Sequence, residues 1–488
     1  LKRAKRARAG PYRYFPSCAP GPTMAERRPA RRLEHLARQV LPRLGAARLA
    51  ASPVSAATAG GAEKKGKILD GLRVVEISTV IAAPTCCAYL SDMGADVIKI
   101  ERPGDPDVAR TWGNKDDPAK TASPVIWEKQ HGGSSFTQFN RGKRSLVLDV
   151  QKPEGKAVLL RMLEKADVFV TNVRNKSMKK LGLDYETLAS RFPRLIYAHL
   201  SAWGQSGPMV EAPGFDVGAW WAHSGIMELA RPSDDSPMPR QVGGIGDSVL
   251  ATQLAGFIGL ALYHREKSGQ GQYVDAALMR SGLAAIAHPM AASAGKNAFI
   301  TGPISEAGGM GFIRETTELG KRRTTISYVP FRMKCGTWVH MMDLVPDRAN
   351  PKIFKALGVK EEDVMGPPEA FDAEGEHLKK ATAVIDSILA TKTWAEWKPI
   401  FLEHDVWHAV INKFENMWDD EQAQSNGAFV THPDIRHPLV GVPILLSAHK
   451  AEPKGRAPGL GEHTSAVLQE FGYTPAEEKE LREKRVVE

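Results

Sequence analysis

The stretch LRVVEISTVIAAPTCCAYLSDMGADVIKI, residues 72–100, decides the fold. It opens on a β-rich apolar run, Leu72–Ile77, and closes on another, Asp96–Ile100. Between them Thr85–Met93 reads as a helix. A strand, a helix and a second strand in this order make a right-handed crossover with parallel strands. The runs are continuously apolar rather than alternating, which implies a sheet covered on both faces. The rhythm continues outward. Ser145–Leu148, Asp167–Thr171, Leu195–Leu200 and Tyr273–Ala276 read as further strands. Helices are predicted over Glu154–Lys165, from Ser248 to about Glu266, and over Ser465–Phe471. The fold class is therefore α/β with a parallel sheet. Residues 279–330 read as less regular. The region up to about 420 reads as more helical, with Trp394, Trp397, Trp407 and Trp418 as core residues.

Charge is unevenly placed along the 488 residues. The whole chain has 65 Lys+Arg against 56 Asp+Glu, a net +9. Residues 1–67 hold 16 of those bases and three of the acids, a net +13. The remaining 49 bases and 53 acids leave the body at −4, which argues against a nucleic-acid-binding body. Met24 is the first possible initiator. After it the segment is rich in Arg and Ala, and Leu33, Leu36, Val40, Leu41 and Leu44 share one helical face. That pattern predicts an organelle presequence, mitochondrial ahead of plastid, with a cytoplasmic protein as the alternative. The most apolar run, Val249–Tyr263, is interrupted by Thr252 and Gln253. It falls short of the roughly 20 residues of a membrane span, so no membrane partner is expected. Cys86 and Cys87 read as small buried residues. No metal site is expected, because no His/Cys spacing suits zinc.

Three groups of residues have the chemistry for a site. The run Gly243-Gly244-Ile245-Gly246-Asp247-Ser248 precedes the long apolar helix. On spacing alone Asp247 is an N-cap. The functional alternative is a carboxylate nucleophile kept charged, with its pKa held low, by the helix dipole. The run FDVGAWWAHSG, residues 215–225, mixes Asp216, Trp220, Trp221 and His223, and His223 alone reads as structural. Cations cluster near strand ends: Lys99, Arg102, Arg141, Lys143, Arg144, Lys176, Lys179 and Lys180. At the carboxyl ends of parallel strands they suit a phosphorylated nucleotide, and otherwise they are solvated surface charge.

In this order the motifs resemble the class III CoA-transferases, a group that includes formyl-CoA transferase, carnitine CoA-transferase and the alpha-methylacyl-CoA racemases. The resemblance runs from about Leu69 to Val487. It rests on the first βαβ unit with ERPGDPDVARTWG, on FNRGKRSLVLDVQKPEGKAVLLRMLEKADVFVTN, LSAWGQSGP and the GxGD run, and on REKSGQGQYVDAAL and APGLGEHTSAVLQEFGY. It implies a Rossmann-like large domain, a smaller α+β domain and an interlocked homodimer. It implies an acyl-CoA:carboxylate CoA-transferase in which Asp247 attacks the thioester, passing through an aspartyl-acyl anhydride and an aspartyl-CoA thioester. The alternative is an alpha-methylacyl-CoA racemase or epimerase. Coenzyme A enters as substrate and product, the partner is a carboxylic acid, and no cofactor is held permanently. By the same resemblance Val80, Ala82, Arg102, Leu148, Asn172 and Lys180 contact CoA. Phe215, Trp220, Trp221 and Gly246 shape the substrate pocket, and Gly308 and Gly309 are candidates for a glycine lid. Three departures stand out, one being that this chain reads Thr325–Val329 where formyl-CoA transferase carries its four-glycine lid, with Gly308 and Gly309 lying earlier. Ile81 takes the place of a Gln of formyl-CoA transferase, and Phe215 takes the place of a racemase His, which favours transfer over α-proton exchange. The expected organisation is a leader over 1–67, the large domain over 68–278, a linker over 279–304, the small domain over 305–410, a second linker over 411–429 and a returning segment over 430–488.

Overall fold

The computed structural model describes residues 66–112, 133–231, 237–294, 315–316, 322–323, 330–342, 346–367 and 376–488. Six strands form one sheet: β1 (Arg73–Ile77), β2 (Asp96–Glu101), β3 (Arg144–Val147), β4 (Val168–Thr171), β5 (Ile196–Ser201) and β6 (Tyr273–Ala277). Their order is β3-β2-β1-β4-β5-β6, and every pairing is parallel. The chain winds outward from β1 to β3, then returns to lay β4 on the other side of β1. The direction of winding therefore reverses between β1 and β4, and a crevice opens above their carboxyl ends.

Alternation along each strand feeds two cores. Val74, Val97, Val170 and Ala198 face one side, under helices α1 (Ala82–Asp92) and α4 (Ile245–Ser268). Val75, Ile98, Phe169 and Tyr197 face the other, under α2 (Pro153–Leu163). Chain-terminal Val486 and Val487 join this second core, and Val487 bridges Leu148 just beyond β3. Every residue of α1 is buried. This helix starts three residues before the expected Thr85, and Pro84 fits because it lies in the first turn, where no N–H is required. Lys67, assigned to the leader by charge, is tied to the body: its Nζ donates to Asp92 O at 3.2 Å and to Glu452 O at 2.7 Å.

α4 also starts earlier than expected and runs for 24 residues between left-handed glycines, Gly244 and Gly269. Among the described residues it is the one helix long and apolar enough to cross a membrane, contrary to the expectation that this run is too short. It is a core helix on one face: Leu250, Leu254, Ile258 and Leu262 are buried against the sheet. Its last turn carries Arg265, which pairs with Asp167 at 2.9 Å. The other face leaves Phe257, Leu260 and Tyr263 exposed.

From residue 279, where irregular structure was expected, the chain is instead helical up to 294, in helix α5 (Leu278–Ala285) and a helix over Ala287–Ala294. Farther on, Pro330–Arg332, Trp338–Met341 and His408–Ile411 make a three-stranded antiparallel sheet. Helices over residues 346–403 pack on it around a third core of Phe331, Val339, Ile353, Phe354, Ile385, Trp397 and Phe401. Only part of the tryptophan expectation holds. Trp397 is fully buried and donates to Leu389 O at 3.0 Å, whereas Trp407 and Trp418 are exposed.

Candidate active site

Beneath the crevice lies a buried ion network. Glu76, on β1, meets Lys143 Nζ at 2.7 Å and Lys99 Nζ at 3.3 Å, and Lys99 also meets Asp107 at 3.0 Å. Burial pushes the Glu76 carboxyl up, but Lys143 and Lys99 outweigh it and hold the group below the usual range. Arg110 clasps Glu101, and Arg141 clasps Asp92. Lys99, Arg141 and Lys143 are therefore neither nucleotide ligands nor solvated surface charges. They are internal counter-ions, and Arg144 is taken up by Asp96 and Glu470.

Two cavities open along the crevice and meet at Thr79. The first, of about 260 Å³, is a slot lined by Ile77, Thr79, Arg102, Leu148, Met178 and Leu181, among others. Arg102 stands at its rim with half of its side chain exposed. Its far wall is helix α3 (Asn175–Leu181), which contributes Ser177, Met178 and Leu181. Lys180 is on the same helix, faces solvent and does not line the slot.

The second cavity, of about 250 Å³, contains Asp247. Thr79, Val80, Ile81 and Ala82 form one wall, Asn172 and Arg174 another, and Trp203, Val210, Pro213 and Phe215 an apolar third. Asn172 belongs to this cavity and not to the slot. Trp220 and Trp221, expected to wall the acyl pocket, do not line it. Trp220 is core: it sits on a π turn over Val217–Ala222 and packs on Gly246 so closely that a Cβ there would lie 2.4 Å from its Cγ. Gly246 thus serves the packing of α4 and not the pocket surface. The indole on the apolar wall is instead Trp203, in the LSAWGQSGP motif, to which the sequence alone assigns no role. Trp203 follows the end of β5, where site residues of a parallel sheet are to be sought. Gly308 and Gly309 lie outside the described residues.

Asp247 is in the first turn of α4 and is not its cap. The cap is Gly244, at φ +90°, and its N–H donates to Asp216 Oδ2 at 2.7 Å. No described group donates a hydrogen bond to the Asp247 carboxylate. Burial, and then the charge of Asp216, push its pKa up to about 7. The expectation of a low pKa is corrected here: a helix N-terminus favours the anion, but desolvation and a like charge outweigh the dipole. The result is a carboxylate with few stabilising partners, which is a basic and reactive nucleophile once ionised.

Among the described residues Asp247 is the one carboxylate lining this cavity. His199 also lines it, but both its ring nitrogens are committed. Nε2 lies 2.8 Å from Val173 O and Nδ1 lies 2.9 Å from the Tyr273 hydroxyl. A carbonyl can only accept, so Nε2 carries the proton and Nδ1 accepts from Tyr273. Burial lowers the pKa of this ring. His199 is a neutral wall and not a second base. His223 is exposed and packs edge-on against Trp203.

Comparison with known proteins bears on this geometry. Residues 69–464 match the family model of CoA-transferase family III. The cinnamoyl-CoA:phenyllactate CoA-transferase of Clostridium sporogenes is 29% identical, over 86% of this chain and 97% of its own length. The alpha-methylacyl-CoA racemase of Mus musculus is 28% identical, over 86% of this chain and 98% of its own. A CAIB/BAIF family protein from Brucella suis superposes with a TM-score of 0.67 at 26% identity, covering 83% of this chain and all of that one.

Proposed function

We propose, from the premise that this chain belongs to CoA-transferase family III, that it is an acyl-CoA:carboxylate CoA-transferase with Asp247 as its nucleophile. The observation that carries the reading is the largely buried carboxylate of Asp247, which no described group hydrogen-bonds, in a cavity with one apolar wall that adjoins a second slot at Thr79.

In this scheme the nucleotide end of CoA occupies the slot, near Arg102 and Leu148, and the pantetheine arm crosses Thr79, Val80 and Ala82. The Asp247 carboxylate attacks the thioester carbonyl, the C–S bond breaks, and CoA thiolate departs from an aspartyl-acyl anhydride. The thiolate then attacks the aspartyl carbonyl, releasing the first acid and leaving an aspartyl-CoA thioester. The acceptor carboxylate attacks that thioester, a second anhydride forms, and the returning thiolate takes the new acyl group. Each step exchanges one activated acyl group for another, so the apolar wall of Trp203, Val210, Pro213 and Phe215 serves to exclude water.

Racemisation needs two bases straddling Cα. The cavity supplies one carboxylate and a histidine with both nitrogens engaged, which supports transfer. The test is a panel of acyl-CoA esters with isotope-labelled acids in deuterated water. Label should enter the ester in wild type and not in Asp247→Ala. Deuterium at Cα without transfer would instead establish the racemase reading.

The proposal extends to the whole chain. The exposed Phe257, Leu260 and Tyr263 of α4 are proposed to be covered by a second copy, in a homodimer of the interlocked kind. The Arg-rich leader is proposed to direct the protein to mitochondria. The division into a large domain, a small domain and a returning segment is likewise carried forward as a proposal.

A further inference from the structure

The loop that walls the Asp247 cavity holds an unfavourable backbone conformation. Val80 has φ +74°, and it is a β-branched residue in the left-handed region, where its side chain crowds the following carbonyl. Such a conformation persists only when its surroundings over-determine it. Here it is clamped from two sides. The Asn172 side-chain amide bonds to the backbone of one residue on both sides: Thr79 N donates to Oδ1 at 3.1 Å, and Nδ2 donates to Thr79 O at 2.8 Å. From the opposite side Asp107 Oδ1 accepts from Val80 N at 3.0 Å, while its other oxygen is held by Lys99 at 3.0 Å. Lys99 also donates to Ser78 O at 2.7 Å.

Thr79 follows β1 and Asn172 follows β4, so this clamp spans the crevice where the winding of the sheet reverses. The loop it fixes touches both cavities, because Thr79 lines the slot and the Asp247 cavity, and Val80 and Ile81 line the latter. Asp107 lines the slot while holding Val80 in the other cavity.

We propose that Asn172 and Asp107 are positioning residues. By locking Thr79–Ile81 in its strained form, they set the path along which a ligand seated in the slot reaches Asp247. The proposal rests on the transfer reading above for its chemistry, and its structural half stands apart from that reading. It differs from the role given to Asn172 by resemblance, since the two bonds to the Thr79 backbone tie the amide to the loop.

The test uses the full chain and the variants Asn172→Ala and Asn172→Asp. The second retains an acceptor for the Thr79 amide and lacks the donor, so it serves if the first fails to fold. Amide hydrogen exchange of residues 79–82 should quicken at least ~10-fold, with the β1 amides unchanged. Free CoA, measured by calorimetry, should bind within about threefold of wild type, while kcat for an acyl-CoA and acid pair found by the panel falls ~10- to 100-fold. Unchanged exchange, or unchanged kcat, would overturn the proposal. So would a loss of CoA affinity as large as the loss of kcat, which would make Asn172 a direct ligand contact. If no pair turns over in wild type, the transfer reading fails, and the exchange measurement still decides whether the clamp exists.

Discussion

Asp247 fixes the pH behaviour expected of the protein. A nucleophilic carboxylate must be ionised, and burial with the Asp216 charge places its pKa at about 7. Turnover should therefore rise with pH through a single limb near 7 and level off above it. Asp216→Asn keeps an acceptor for the Gly244 amide and removes the charge, so the limb should move down by about one pH unit. A pH–rate profile of the two proteins checks this. The same shift has a stability consequence of opposite sense. A carboxyl whose folded pKa lies above its unfolded value destabilises the fold progressively as pH rises from about 4 to 7. Asp247→Asn should thus be inactive yet more stable than wild type, by up to about 4 kcal/mol at pH 8, with the difference fading by pH 4. Urea melts at the two pH values measure it. Asp247 was singled out in the sequence by the resemblance, since spacing alone made it a cap. Its electrostatics were not legible there, because they depend on Asp216, which lies 31 positions earlier in the chain and returns through the fold.

At the scale of elements, the start of α4 depends on a close approach that only glycine permits. A methyl group at Gly246 would meet Trp220 at 2.4 Å, and Trp220 is itself fixed by the π turn. Gly246→Ala should cost about 2 kcal/mol and, by shifting the first turn of α4, lower activity by more than ~10-fold. A thermal melt and a transfer assay on that one variant separate the two effects. The ion network under β1 makes a further prediction. Lys143→Met leaves Glu76 buried with Lys99 and the Ser78 hydroxyl as its remaining partners, so a loss of about 3 kcal/mol is expected in denaturant titration. The six parallel strands were readable from apolar runs to within a residue or two, since a covered parallel strand has few other sequences available to it, whereas the antiparallel strands at Trp338–Met341 and His408–Ile411 lay in a region read as helical. Helix starts were read three residues late at α1 and α4, because the glycine cap and the first-turn Pro84 look like loop until packing is known. The cations on strand ends misled for a related reason: charge type is visible in sequence, but the burial that pairs Lys99, Arg141 and Lys143 with acids is not.

For the whole molecule, the proposal gives the leader and the body different duties. The body is mildly acidic and carries the candidate site, whereas the basic leader is read as an address. A chain beginning at Gly66, which keeps Lys67 and its bonds to Asp92 and Glu452, should retain full transfer activity and elute as a dimer in light-scattering chromatography. Among the described cysteines, Cys335 is exposed, and the Thr337 hydroxyl and nearby backbone amides bring its thiol down to about 7. Cys86 and Cys87 are buried, and burial pushes both up. Iodoacetamide at pH 7 should therefore label Cys335 well before either of them. The central claim remains the covalent role of Asp247, and intact-protein mass spectrometry after incubation with acyl-CoA alone tests it most directly. The account predicts an adduct of CoA less one water, mapped by proteolysis to the peptide containing Asp247 and missing in Asp247→Ala. An adduct on another residue, or undiminished transfer by Asp247→Ala, would contradict it.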